Sequence, residues 1–310
     1  MPLSHRRGAA ATLVALAVAL APLAGAAAQT PSPTAATPRP VIDRAPARVA
    51  FRSTVVIRGH LDDRAQGREI ALERRLAGRD WIVVARAVTD EHGRVSFVRR
   101  RQAHTASYRL VFQDDLAGTR TASDPARVRV HARLRLRTPR THVMVGRKAS
   151  LSGRLYPVAA GRRVIIELRV DGAWRWLRRA RVRDGVFRTR IATSRVGRHR
   201  VRARFAGDRL NAPARADTRV WVYDPDLSTW YGPGLYGNRM ACGGTLTTGT
   251  LGVAHKTRPC GSKVSLLYRG RSITVTVVDR GPYSGAEWDL TEATARRIGF
   301  YGSGYVGVID

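Results

Sequence analysis

Lysine is almost missing from this sequence. Lys148, Lys256 and Lys263 are the only three, so 52 of the 55 basic residues are arginines. Acids are scarce too: 23 Asp and Glu leave a formal net charge of +32 over 310 residues. That excess first suggests nucleic acid, yet so lopsided an arginine preference fits a GC-rich coding bias on a solvated surface at least as well. Cysteine is limited to Cys242 and Cys260, too few for a disulfide-dense scaffold or an all-cysteine zinc site. No histidine-rich metal pattern lies nearby, and neither a metal nor a cofactor is implied. No apolar run beyond the first 28 residues is long enough to cross a bilayer. What remains is ample for a core. Apolar residues make up 44% and charged residues 25%, which excludes a disordered chain, and the length allows two or three domains.

Residues 1–28 carry His5, Arg6 and Arg7, then an apolar run from Ala9 to Leu23 broken by Pro22, then Gly25-Ala-Ala-Ala28. A charged start, a short apolar run and a small-residue cleavage site read as a secretory signal peptide; an uncleaved anchor is the alternative. The expectation is an exported bacterial protein of the cell envelope, cell wall or extracellular space, soluble once the signal is removed. Arg6-Arg7 leaves the choice of export route open. In an oxidising compartment Cys242 and Cys260 read as a disulfide, closing a loop of roughly 18 residues for about 3 kcal/mol. Free thiols or a catalytic cysteine are the competing reading.

Residues 29–44 are rich in Pro, Thr and Ala and read as a linker. Beyond them the chain repeats itself. The segment from Val55 resembles the segment from Ala149, with Gly59 answering Gly153 and Gly67 answering Gly161 at an offset of 94. Gly93 and Phe97 find rough counterparts in Gly185 and Phe187. This is an internal repeat of about 90 residues. Ile70 and Leu72, and Val164, Ile166 and Leu168, are apolar at every second position, with turn signals between such runs. Each copy, 45–132 and 133–223, therefore reads as a small immunoglobulin-like β-sandwich. Neither copy holds a recognisable catalytic constellation, and spacers or binding modules are the expected roles.

The charge belongs to these copies. Residues 227–310 hold nine basic and five acidic residues, net +4, whereas the linker and repeats hold 44 basic and 18 acidic, net +26. Runs such as Arg127-Val-Arg-Val-His-Ala-Arg-Leu-Arg-Leu-Arg137 put arginines on a solvated strand face. Binding of the repeats to anionic wall polymers is the partner this suggests. Export and the lack of a DNA-binding motif set nucleic acid aside, and oligomeric state is left open.

From 224 to 310 glycines multiply and arginines thin out. Lys263–Tyr268 and Ser272–Val278 read as strands joined at Arg269-Gly270. Asp289-Leu-Thr-Glu292 reads as the capping-box-like start of a short helix ended by Gly299, and Tyr305–Ile309 as a last strand. Four motifs here, Ser228-Thr-Trp-Tyr-Gly-Pro-Gly234, Leu251-Gly-Val-Ala-His-Lys-Thr257, Val278-Asp-Arg-Gly-Pro282 and Trp288-Asp-Leu-Thr291, resemble the double-psi β-barrel of the rare lipoprotein A family. The resemblance covers about 84 residues and says nothing about the repeats. It implies a six-stranded double-psi β-barrel, which after the two sandwich repeats read from their alternation makes the chain mainly β. It also implies a peptidoglycan lytic transglycosylase, a lyase that cleaves the bond between N-acetylmuramic acid and N-acetylglucosamine and leaves a 1,6-anhydro end. The implied partner is the peptidoglycan glycan strand. The alternative is a non-catalytic, expansin-like protein that binds or loosens wall glycan.

By this resemblance Asp279 is the acid/base, since one carboxyl can protonate the leaving oxygen and then accept the proton of the attacking C6 hydroxyl. The plain reading of Asp279 is a turn cap before Arg280-Gly281-Pro282. Asp289 is the second candidate acid, matching an Asp of the polysaccharide site in expansin-like relatives; its plain role is the helix N-cap. His255 would hydrogen-bond substrate or orient Asp279, or else sit satisfied inside the barrel. Trp230, Tyr231 and Tyr283 would stack on sugar rings, and Thr229 lies in the same motif. Where lytic members carry an acid, this sequence has Cys242-Gly243-Gly244, which keeps the expansin-like alternative open. No peptidoglycan-binding domain of the septal-ring kind is recognisable, so septal targeting is not expected.

Overall fold

The computed structural model describes residues 37–192 and 194–310. The expected signal peptide over 1–28, and most of the expected linker, lie outside the described residues. The described part is mainly β, with one short helix.

The first repeat is built from β1 (Pro40–Arg44), β2 (Arg48–Ala50), β3 (Val55–Leu61), β4 (Glu69–Leu76), β5 (Ile82–Val88), β6 (Arg94–Arg99), β7 (Ala106–Asp114), β8 (Thr119–Ala122) and β9 (Ala126–His131). Residues 40–44, read from their composition as linker, thus form a strand. Val41 and Ile42 supply the extended, β-branched pair that composition over a longer window hides. One sheet runs β1-β3-β6; the other runs β2-β9-β7-β4-β5, with β8 on β7. Between them lies one core of Ile57, Leu61, Ile70, Leu72, Phe97, Tyr108, Leu110 and Phe112.

The second repeat follows the same plan: β10 (Arg133–Arg140), β11 (His142–Met144), β12 (Ala149–Tyr156), β13 (Arg163–Val170), β14 (Ala173–Arg181), β15 (Val186–Ile191), β16 (Gly197–Phe205) and β17 (Ala214–Tyr231). Here β10-β12-β15 faces β14-β13-β16-β17, with β11 parallel to β17 as β2 is to β9. One pair of the glycines that revealed the repeat, Gly59 and Gly153, has a shared steric cause. A Cβ on Gly59 would lie 2.2 Å from the carbonyl oxygen of Val41, and one on Gly153 would lie 2.4 Å from that of Arg135. In both copies the neighbouring strand crosses too closely for any side chain. In β9 and β10, Arg127, Arg129, Arg133, Arg135 and Arg137 are exposed and alternate with Val128, Val130 and Leu134, which are buried.

Each repeat also holds one buried glutamate between arginines. Glu73 meets Arg109 at 2.8 Å and Arg120 at 2.6 Å, while Glu167 meets Arg202 at 2.7 Å and Arg204 at 3.5 Å. Arg109 and Arg202 in turn lie 4.4 Å and 4.2 Å from the ring centres of Trp81 and Trp174. The two repeats are docked through the loop before β17. Buried Asn211 donates to the carbonyls of Ala103 and Val130 and accepts from Arg162, which also pairs with Asp208.

No linker separates the second repeat from the last domain. β17 is one 18-residue strand that leaves the sandwich and enters the barrel. The barrel continues with β18 (Val253–Ala254), β19 (Lys263–Tyr268), β20 (Arg271–Asp279), β21 (Trp288–Thr291), helix α1 (Glu292–Ile298) and β22 (Gly304–Ile309). Its pairings run β17-β21-β18-β20-β19-β22 and return from β22 to β17. Trp288, Leu290, Val253, Val264, Leu266, Val277, Ile298 and Val306 fill the interior. At the turn between β19 and β20, Arg269 and Gly270 both take positive φ, 46° and 84°, the geometry of a two-residue hairpin. Tyr223, Met144, Leu267 and Ile309 form a small core where sandwich and barrel meet.

Candidate active site in the barrel

Four adjacent strands place one row of residues across the mouth of a cleft of about 430 Å³. Thr229 on β17 is in register with Asp289 on β21, Asp289 with Ala254 on β18, and Ala254 with Asp279 at the end of β20. All four line the cleft. Ala254 therefore separates the two aspartates by two strand spacings, about 10 Å between α-carbons, and its methyl group leaves the floor open between them.

Each aspartate is held differently. Asp279 Oδ1 accepts from the backbone N–H groups of Ala241, at 2.7 Å, and Arg280, at 2.9 Å. Its Oδ2 faces the Tyr231 hydroxyl at 3.4 Å. Asp289 Oδ1 accepts from the Thr229 hydroxyl at 2.7 Å. Burial pushes the Asp289 carboxyl above the usual carboxylate range, and the charge of Asp279 adds to it; the Thr229 bond acts the other way. Tyr231 is likewise pushed far up by burial and by both carboxylates, so its phenol stays a neutral donor. No ion pair involves either aspartate among the described residues.

Asp289 is not the helix N-cap. That position belongs to Thr291, whose side chain accepts from the Thr294 N–H, while Gly299 closes the helix with φ 77°. Asp289 stays in the strand because β21 pairs on both sides through it, which leaves its carboxyl to the cleft.

His255 does not reach Asp279 with its ring. Its Nδ1 accepts from the N–H groups of Thr257 and Arg258, so Nε2 carries the proton and donates to Glu287 at 3.0 Å. The ring is buried against Trp288, with centres 4.3 Å apart. Its link to Asp279 is through the backbone, where the His255 N–H donates to the Asp279 carbonyl at 3.2 Å. Trp230 packs against the barrel core and does not line the cleft. Tyr231 and Tyr283 do, and Tyr283 is 88% exposed.

Several lining residues escaped the sequence reading: Asn238, Arg239, Met240, Arg280 and Ser284 among them. Arg280 was visible inside its motif, but nothing in the sequence marked Arg239. The loop that carries Met240 and Ala241 is tied down by the Cys242–Cys260 disulfide. That bridge thus anchors the segment whose N–H holds Asp279.

A closed six-strand pairing path thus carries a row of two acids across its mouth, beside one short helix. The family model described as lytic transglycolase matches residues 227–309, and this segment is an RlpA-like double-psi β-barrel domain. The "Probable endolytic peptidoglycan transglycosylase RlpA" of Synechocystis sp. is 41% identical over 81 residues, 25% of this chain and 25% of that protein. The "Endolytic peptidoglycan transglycosylase RlpA" of Campylobacter jejuni is 38% identical over 81 residues, 25% and 30% respectively. That of Pseudomonas aeruginosa is 39% identical over 80 residues, 25% and 24%. The match thus spans only 24% to 30% of the length of these relatives. A solved tandem repeat from the extending region of a large adhesion protein covers 88% of the chain at 15% identity and a TM-score of 0.34, too weak a likeness to define the repeats.

Proposed function

We propose that the barrel is a peptidoglycan lytic transglycosylase that works with Asp289 and Asp279 on the bond between N-acetylmuramic acid and N-acetylglucosamine. The observation that carries this reading is the row Thr229–Asp289–Ala254–Asp279, in which one carboxyl is raised and both are free of cations. Asp289, whose carboxyl is pushed upward by burial and by the neighbouring charge of Asp279, is the acid that gives its proton to the glycosidic oxygen as the C1–O bond breaks. The C6 hydroxyl of the same muramic residue attacks C1, and its proton passes to the Asp279 carboxylate. The product is a 1,6-anhydro end with no water consumed; a proton exchange between the two acids then restores the site. Two N–H donors and the Tyr231 phenol orient Asp279 for that role. Tyr283 offers an exposed ring on which a sugar can stack.

His255 serves as a positioning residue, fixing the 255–258 turn and the backbone of Asp279. The protein acts at the cell envelope after export. Its repeats are immunoglobulin-like spacers whose net +26, counted with the linker, retains it at anionic wall polymers. A second reading, a non-catalytic expansin-like glycan binder, is favoured by the Cys242-Gly243-Gly244 step where lytic members carry an acid. Digestion of peptide-stripped glycan strands, followed by mass spectrometry, separates the two. Anhydro ends from wild type and none from D289N support the lyase; strand binding without anhydro ends supports the expansin-like reading.

A further inference from the structure

The two repeats share one plan but differ at one edge. In each, β5 or β14 ends the larger sheet and β6 or β15 ends the smaller one, so two strand edges face each other across the open side of the sandwich. Both outer strands carry a bulge at the same register. Val83 opposes Glu73 and Ala85 opposes Leu72 in the first repeat; Trp176 opposes Glu167 and Arg178 opposes Ile166 in the second. The bulge is common to both copies, but its residues differ: Val83-Val-Ala85 in the first and Trp176-Leu-Arg178 in the second.

In the second repeat these residues border a groove. In the first repeat Arg99 reaches across the edge and donates to the Val84 carbonyl. In the second, a groove of about 630 Å³ runs between the edges, lined by Lys148, Trp176, Leu177, Arg178, Arg190 and Ile191. Trp176 is 63% exposed, unusual for so large an apolar ring. Three cations and no acid line this groove. Lys148, Arg178 and Arg190 have no carboxylate partner among the described residues, and Glu167 beside them is engaged by Arg202 and Arg204. Arg178 spends one donor on the Arg190 carbonyl at 3.0 Å and keeps the rest.

We infer that this groove binds a carboxylate-bearing polysaccharide. A tryptophan face complements the C–H groups of a pyranose ring, and a guanidinium fork matches a carboxylate. Trp176 and Arg178 flank the bulge on one strand and both line the groove, so one bound chain can meet the two of them. The site rests on the reading of the repeats as a hold on anionic wall polymers and gives that hold an address; it does not depend on the barrel's activity.

The test is calorimetric titration of the full chain with oligogalacturonate, with a neutral chitin hexamer and a glycerol-phosphate polymer as the other arms. Oligogalacturonate should bind, and W176A and R178A should each weaken it about tenfold, the effect of losing roughly 1.4 kcal/mol. W176F should recover part of the loss, V83A in the first repeat should change nothing, and thermal midpoints should hold. Equal or tighter binding of the chitin hexamer or the phosphate polymer would overturn the assignment. Salt-sensitive uronate binding that W176A leaves intact would refute the groove while sparing the broader reading of the repeats. Binding of none of the three would refute both.

Discussion

The repeats and the barrel treat buried acids in opposite ways. In each repeat the one buried glutamate is gripped by two arginines, Glu73 by Arg109 and Arg120, Glu167 by Arg202 and Arg204. In the barrel the two cleft aspartates are held only by neutral donors: backbone N–H groups, a threonine hydroxyl and a tyrosine phenol. The ion pairs of the repeats cross-link strands of a sheet. Burial without a countercharge favours the protonated form, and this is what pushes the Asp289 carboxyl upward. The abundance of arginine in one region and its thinness in the other is what permits both behaviours in one chain.

The contrast can be broken first at the cleft. D289N and D279N should each lower anhydro-product formation by about 10²–10⁴-fold, with thermal midpoints near wild type, as followed by mass spectrometry and calorimetry. In the repeats the same kind of change should do the reverse. E73A or E167A leaves two arginines facing each other and should cost about 3 kcal/mol in denaturant unfolding, with no effect on product per folded molecule. Removing the Cys242–Cys260 bridge as a paired serine variant should cost at most about 3 kcal/mol. It should also slow the cleft, because the loop that presents the Ala241 N–H loosens. G59A and G153A, which drive a methyl group into a neighbouring strand carbonyl, should each destabilise by about 1–3 kcal/mol, and by similar amounts if the repeats are true copies. The smallest effect is on pH dependence. The folded state raises the Asp289 pKa, so it holds that proton more tightly than the unfolded chain. Stability should thus fall as pH rises from the ordinary carboxylate range through the raised value. D289N should flatten that limb in thermal scans from pH 4 to pH 8.

Much of the cleft could be read from motifs, because four of them converge on one face. Asp279, Asp289, Thr229, Tyr231 and Tyr283 all line it. Trp230 does not, and strand alternation is the reason: Thr229 and Tyr231 point to the cleft, so the residue between them points to the core. His255 follows a two-residue strand and turns its ring onto Trp288, a tertiary preference that its motif conceals. The N-cap shifted from Asp289 to Thr291 because β21 needs Asp289 for pairing on both sides, and pairing is non-local information. The paired glycines 59 and 153 were visible as a repeat, but their steric cause lies in strands that pair across roughly 18 residues. The Glu73 and Glu167 clamps join residues 35 to 47 apart and left no mark in local pattern. Nor did the junction at 223–224, where a continuous strand crosses what composition reads as a boundary.

The central claim is that burial and the charge of Asp279 raise the Asp289 carboxyl. Carbon-detected NMR of the side-chain carboxyls across a pH titration, on wild type and D279N, reads this directly. Asp289 should titrate above the ordinary aspartate range in wild type and move down toward it in D279N, where one of the two causes of the shift is gone. An Asp289 that titrates at the ordinary value, or that ignores the loss of Asp279, would contradict the assignment of the proton and with it the division of labour across the cleft.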